Sequence, residues 1–283
     1  MLPLVEKLCE ELEEMDVVCE ILVGDDASPQ PPKAHMVLKN MPQVSFLISE
    51  KNRGRTGMRQ WLSEKAQYEH LLFMDADVLP KNEHFISAFL KETSNQVVFG
   101  GIEYLDTPPA KEQMLRWKYG RSRETMTAVK RQDQPYLTVN SGCFMIHRAL
   151  FLKTNQLLQM NKYGLDNYFK ELLRKANATV RHIDNPVYHL GLESNAQFLK
   201  KSLEAVNTTV YLERENLLGD GVRPLQKSYL KLSKWRLTGL FASFISLMKN
   251  RMERNFKSGN PNLFWFDLYR LQYYIQLKRE RDA

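Results

Sequence analysis

No apolar run in this chain is long enough to cross a bilayer. The longest weakly polar stretch, Leu237 to Met248, has 12 residues, where a spanning helix needs about 20. No basic segment followed by an apolar one opens the chain, and residues 6–16 are acidic instead, so no secretory leader is expected. Cysteine is scarce. Cys9, Cys19 and Cys143 share no metal-ligand spacing and cannot all pair, which points to a reducing, cytoplasmic compartment. Internal repeats and low-complexity tracts are missing, which excludes a solenoid or a linker-dominated chain. There is no nucleic-acid recognition motif and no glycine–aromatic stacking signature, so nucleic acid is not an expected partner.

What is present is an ordinary globular composition, 43% hydrophobic and 26% charged over 283 residues, enough for a large core. The charge is unevenly placed. From Arg223 to Ala283 there are 13 Lys and Arg against 4 Asp and Glu, a net +9, while the remainder carries −2. A partner for the basic charge is therefore to be sought in the last fifth of the chain.

The chain is organised around His70-Leu71-Leu72-Phe73-Met74-Asp75-Ala76-Asp77. The apolar run reads as a buried strand, expected to be parallel and covered on both faces. A core has no use for two carboxylates at its end, whereas the carboxyl ends of strands in an open parallel sheet are where ligands bind. Two carboxylates there suit a hard divalent cation completed by water and a diphosphate. The alternative is that Asp75 and Asp77 merely form a turn or a cap.

Ahead of this stretch, Leu4, Val5, Leu8, Leu12 and Met15 at helical spacing predict an amphipathic helix. Ile21-Leu22-Val23 predicts a short strand ending at Gly24-Asp25-Asp26-Ala27-Ser28, before a loop with Pro29, Pro31 and Pro32. Val44 to Ile48 is a second strand, leading into Asn52-Arg53-Gly54-Arg55, whose glycine permits close backbone approach and whose arginines offer charge to phosphate. Met58, Trp61, Leu62 and Ala66 then line a helix that carries Arg59 near its start. This strand–loop–helix alternation argues for an α/β sheet.

Further on, a helix is expected around Phe85–Leu90, a strand at Val97–Phe99 and a long basic helix or helix pair over residues 110–129. Thr138 to Ile146 reads as a strand interrupted by Asn140-Ser141-Gly142. Tyr163-Gly164-Leu165-Asp166-Asn167 precedes a helix, which Asp166 could cap as readily as do chemistry. Thr179–Asp184 reads as a strand, Asn185–Gly191 as a loop, and residues 193–218 as a helix. A Gly-Asp-Gly break at 219–221 sets the expected boundary between residues 1–220 and a basic, aromatic helical region at 221–283. That region reads as helices packed on the body, or as a face that also rests on an anionic membrane surface.

Asp25-Asp26-Ala27-Ser28, Asn52-x-Gly54-Arg55-x-x-x-x-Arg59, Phe73-Met74-Asp75-Ala76-Asp77, Tyr163-Gly164-Leu165-Asp166 and Asn185-Pro186-Val187-Tyr188-His189-Leu190 occur in that order. In this the chain resembles the family-2 glycosyltransferases of the GT-A fold, of bacterial type, over roughly residues 1–192. The resemblance implies a Rossmann-like, mostly parallel α/β sheet with flanking helices. It implies inverting transfer from a nucleotide sugar, usually a UDP-sugar, to a glycan or lipid-linked acceptor, with Mg²⁺ or Mn²⁺. On the matching positions, Asp26 meets the nucleobase, and Asn52, Arg55 and Arg59 lie near the nucleoside or diphosphate. Asp75 holds the ribose or a metal-bound water, Asp77 ligates the metal, and His189 stands near the diphosphate and metal. A histidine in a strand-end loop can equally be satisfied by backbone. The expected setting is the cytoplasmic face of the membrane, with polysaccharide or other cell-envelope precursors as acceptors.

Two features depart from the family pattern. The general base usually comes from a Glu-Asp pair at a helix start, and here the pair reads Asp166-Asn167; Asp166 is the candidate, since an amide cannot take a proton. The family also begins with a central strand that this sequence does not show ahead of its first helix. Its absence would leave neighbouring strands with unpaired backbone groups. Either the start lies upstream of Met1 or the chain is a degenerate relative with poor donor binding. A nucleotidyltransferase and a catalytically impaired sugar- or membrane-binding scaffold are the competing readings.

Overall fold

The first helix forms as its periodicity predicts: α1 spans Leu2–Glu13, with Pro3 in its first turn and Leu4, Val5 and Cys9 buried. The structure is a computed structural model that describes residues 1–30, 34–137, 139–156, 158 and 162–282; Pro31, Pro32 and Thr138, read above as loop and strand, lie outside them. The strands are β1 (Ile21–Asp25), β2 (Val44–Ile48), β3 (His70–Met74), β4 (Val78–Pro80), β5 (Val97–Phe99), β6 (Ile102–Glu103), β7 (Cys143–His147), β8 (Val180–His182) and β9 (Val187–His189). The remaining helices are α2 (Ala34–Lys39), α3 (Gly54–Lys65), α4 (Phe85–Leu90), α5 (Met114–Arg123), α6 (Ala128–Gln132), α7 (Arg148–Asn155), α8 (Asp166–Lys175), α9 (Asn195–Arg214), α10 (Pro224–Lys234), α11 (Thr238–Phe256) and α12 (Leu263–Asp282).

These elements form two compact units. One comprises Met1–Leu105, Glu124–Asn161 and Leu172–Gly191; the other comprises Asp106–Arg123, Lys162–Glu171 and Leu192–Ala283. In the first unit β1 pairs in parallel with β2, and β3, β7, β5 and β8 make a four-stranded sheet in that order. β3 and β5 both run antiparallel to β7, β8 runs parallel to β5, and β4, β9 and β6 form a third sheet. The α/β fold is thus as expected, but its sheets are mixed rather than mostly parallel, and β3 itself is antiparallel to its neighbour. An apolar run specifies burial, while strand direction depends on a partner far away in the chain. Two more expectations are corrected. The strand read from Thr138 starts only at Cys143, because Gly142 N–H turns onto Asn140 Oδ1 at 2.8 Å. The supposed loop Asn185–Gly191 contains β9, which β4 and β6 flank.

Aromatic rings join neighbouring strands of the four-stranded sheet: Phe144 on the buried β7 stacks on Phe73 at 5.1 Å and on Phe99 at 5.6 Å. Each such pair adds about 1 kcal/mol beyond its burial. On its other side β3 has no strand partner among the described residues, and β1 is likewise paired only to β2. Between them lies a cavity of about 710 Å³, lined by α1, β1, α3 and β3.

In the second unit, α5, α9, α11 and α12 enclose a core of Leu115, Phe198, Ile245, Met252, Phe256, Phe266 and Tyr269. α9 starts on a capping box between Ser194 and Gln197.

Buried His182 on β8 makes the first unit acid-sensitive. Its Nδ1 accepts from Arg131 at 3.0 Å and its Nε2 donates to Pro135 O at 2.9 Å. Burial above all, with Arg131 adding to it against the Pro135 bond, pushes the imidazole down to about 4. Below the ordinary value of about 6.5 the unfolded chain takes a proton that the folded one refuses. Stability is therefore full above pH ~6.5 and falls as the pH drops towards 4, by at most about 1.4 kcal/mol per pH unit from this group. Denaturant midpoints should decline from pH 7 to 5, and less steeply in His182→Gln. Parallel profiles for the two proteins would contradict the assignment.

Candidate active site

The candidate residues of the first unit gather where strands end. β1 delivers Asp25 and Asp26. Asp25, buried, accepts Ser28 N–H at 3.1 Å and turns the chain, while the Asp26 carboxylate accepts Arg53 N–H at 2.6 Å. Asn52 ties the same loop down, donating from Nδ2 to Asp26 O at 3.3 Å and accepting Gly54 N–H at 3.1 Å. The chain can make this turn because Gly54 takes a left-handed φ of 67° as it enters α3. Ala27 is also left-handed at φ 59°, a conformation that costs a non-glycine residue about 1–2 kcal/mol and concentrates at functional sites.

From α3, Arg55 and Arg59 project one turn apart onto the end of β3. Arg55 meets Asp75 Oδ2 at 2.5 Å and Arg59 meets Asp75 Oδ1 at 2.8 Å. Arg59, largely buried, also donates to Ser141 O at 2.5 Å and lies 5.5 Å from the rings of Phe73 and Phe144. Asp75 is held from behind as well, its N–H donating to Gly142 O at 2.9 Å. Neighbouring Cys143 is fully enclosed; burial, and secondarily the charge of Asp75, pushes its thiol up, so it stays protonated and inert.

Asp77, half-exposed, faces His189 on β9, with Oδ2 and Nε2 3.6 Å apart. Its carboxylate rests on the backbone of Gly191: a Cβ there would lie 2.0 Å from Asp77 Oδ2. In the sequence Gly191 is only part of a loop; its role here is space rather than torsion. Gly191→Ala should displace the carboxylate and lower kcat/KM for transfer between about ten- and a hundredfold, since misplacement by an ångström is that costly. An unchanged kcat/KM would remove this role from Gly191.

The expected metal ligands Asp75, Asp77 and His189 are not brought together as one cluster. Among the described residues no group of three or more His, Cys, Asp and Glu side chains could hold an ion. Asp75 departs because both its oxygens face guanidinium groups. Asp77 and His189 still fit a divalent cation as a partial site, a carboxylate oxygen and an imidazole nitrogen with the other positions left to water and phosphate oxygen.

Asp166 belongs to the second unit, where it is the first residue of α8. Adjacent Asn167 has a local structural reason: its Nδ2 donates to Gly164 O at 3.0 Å, where a carboxylate would set acceptor against acceptor. Gly164 has φ 91°, with Ala205 packed against it.

Comparison with known proteins bears on the fold and the family. A crystal structure of TarS from S. aureus aligns with a TM-score of 0.45 and 19% identity over 72% of this chain and 37% of TarS, so the chain spans well under half of that protein. A mannosyltransferase from Pyrobaculum calidifontis, PcManGT, solved with GDP-Man and Mn²⁺, aligns with a TM-score of 0.53 and 15% identity over 100% of this chain and 85% of its own. At that identity the likeness shows the fold. No curated protein matches the chain. The family model for glycosyl transferase family 2 matches residues 2–154, more than half of the 283 residues and every first-unit candidate except His189. The nucleotidyltransferase reading falls away, and the chain belongs to glycosyl transferase family 2.

Proposed function

We propose that this family-2 glycosyltransferase inverts the anomeric centre of a nucleotide sugar, a UDP-sugar first among the class, as it transfers the sugar to a hydroxyl of a glycan or lipid-linked acceptor. The acceptor belongs to polysaccharide or cell-envelope synthesis at the cytoplasmic face of a bacterial membrane. The observation that carries this reading is the convergence at the ends of β1 and β3: Asp26 with the Asn52 loop, Asp75 between Arg55 and Arg59, and Asp77 against His189.

In this reading the Asp26 carboxylate and the Asn52 loop receive the nucleoside. Arg55 and Arg59 exchange part of their contact with Asp75 for phosphate oxygens, to which a planar guanidinium is well fitted. Asp75, so released, accepts from the ribose. Asp77 and His189 would hold a Mg²⁺ or Mn²⁺ ion, which would supply positive charge to the departing diphosphate. Asp166 takes the proton of the acceptor hydroxyl, whose oxygen bonds to the anomeric carbon as the bond to diphosphate breaks. Asp166 is assigned this part by the family resemblance.

The test is product analysis with UDP-sugars, and with GDP-mannose because PcManGT was solved with it. Release of nucleoside diphosphate, an inverted product and loss of activity in chelator are expected. Release of inorganic diphosphate, or a retained configuration, would overturn the reading.

A further inference from the structure

The second unit carries an exposed apolar stripe whose setting specifies a partner. On α11, Leu240, Phe244 and Leu247 recur at i, i+4 and i+7 and so share one face; they are 72%, 58% and 87% exposed. The opposite face of the same helix, with Ala242, Ile245, Met252 and Phe256, is buried. The core demand of α11 is therefore already met, and the outer stripe is surplus to folding. Trp235 at 72% and Leu237 at 43% extend it across the turn from α10.

The surrounding charge is nearly all of one sign, the exception on α11 being Glu253, whose carboxylate accepts the Tyr269 hydroxyl at 2.6 Å. From Gly221 to Met252 the chain contains no Asp or Glu and 7 Lys and Arg. Lys231, Lys234 and Arg236 are exposed beside Trp235, and Arg251 and Arg254 continue the line of Leu240, Phe244 and Leu247 along α11.

We propose that this stripe is a membrane-docking face, on which α11 lies in the plane of an anionic bilayer with Trp235, Leu240, Phe244 and Leu247 entering the headgroup boundary. An amphipathic helix that sinks its apolar face and leaves its cations at phosphate level is the arrangement this pattern fits. No helix among the described residues is long and apolar enough to cross a membrane, so the contact is peripheral. A second copy of the chain is the poorer occupant, because a two-fold contact would set these cations against each other. Binding requires neither donor nor metal, so its failure and failure of the catalytic reading are separate results.

The test is co-sedimentation of the whole chain with vesicles of phosphatidylcholine alone and of phosphatidylcholine with phosphatidylglycerol, at low and high salt. Binding to the anionic vesicles alone, weakened by salt, is expected. It should fall about tenfold or more in Phe244→Glu/Leu247→Glu, with an unchanged melting temperature because both side chains face outward. Lys231→Glu/Lys234→Glu should weaken it separately. Equal binding to both vesicles, full binding by both variants, or no binding would overturn the proposal. So would a dimer in light scattering that the Phe244→Glu/Leu247→Glu variant dissolves.

Discussion

Replacing Asp77 by Asn is expected to lower kcat/KM for sugar transfer by on the order of a thousandfold. The substitution keeps the shape and removes the negative charge that stands 3.6 Å from His189 Nε2. A cation is worth several kcal/mol in a transition state that places charge on the leaving diphosphate, and each 1.36 kcal/mol is a factor of ten. Part of the loss should be recovered at high Mn²⁺, because the substituted amide would still offer an oxygen and His189 its nitrogen. The fold should survive, since Asp77 is half-exposed and takes no part in a core. Steady-state kinetics at several Mn²⁺ concentrations checks this, and a variant with unaltered metal dependence would exclude Asp77 as a ligand.

Asp166→Asn is expected to act on a different quantity. If Asp166 takes the acceptor proton, kcat should fall by about a hundred- to ten-thousandfold, the range for a positioned general base. Binding of nucleoside diphosphate and Mn²⁺ should be unaffected. Asp166 is the first residue within α8, so its loss removes only a favourable charge at the helix N-terminus, about 1 kcal/mol or less, and thermal stability should change little. Full kcat in Asp166→Asn would exclude Asp166 as the base. Asn167→Asp should not compensate, because the amide at 167 donates to Gly164 O and a carboxylate cannot.

Local patterns were the legible part of this chain. The amphipathic spacing of Leu4, Val5, Leu8 and Leu12 gave α1, and apolar runs stopping at Asp25 and Met74 gave the strand ends that carry Asp26 and Asp75. Residues 52–59 could be read as a loop opening a helix because Gly54 and the arginines mark it. Pairing was not legible. β3 looks the same in sequence whether it runs parallel or antiparallel to its neighbour, and β9 is three residues behind Pro186, too short for periodicity to register. Nor could the sequence show that Arg55 and Arg59 converge on one carboxylate, drawing Asp75 away from Asp77 and His189. That depends on the distance between the start of α3 and the end of β3, which tertiary packing sets. The place of Gly191 was hidden for the same reason: its missing Cβ matters only because Asp77 comes to lie against it.

The open edges of β1 and β3 bear on the site directly, since Asp26 and Asp75 stand beside the cavity between those strands. The most direct test is calorimetry of UDP, with GDP in parallel, titrated into the chain with and without Mn²⁺, and into Asp77→Ala. Binding that requires Mn²⁺ and vanishes in Asp77→Ala is the predicted result, and it would show that the donor site forms with both edges unpaired. Binding that ignores the metal, or that Asp77→Ala retains in full, would contradict the site described above.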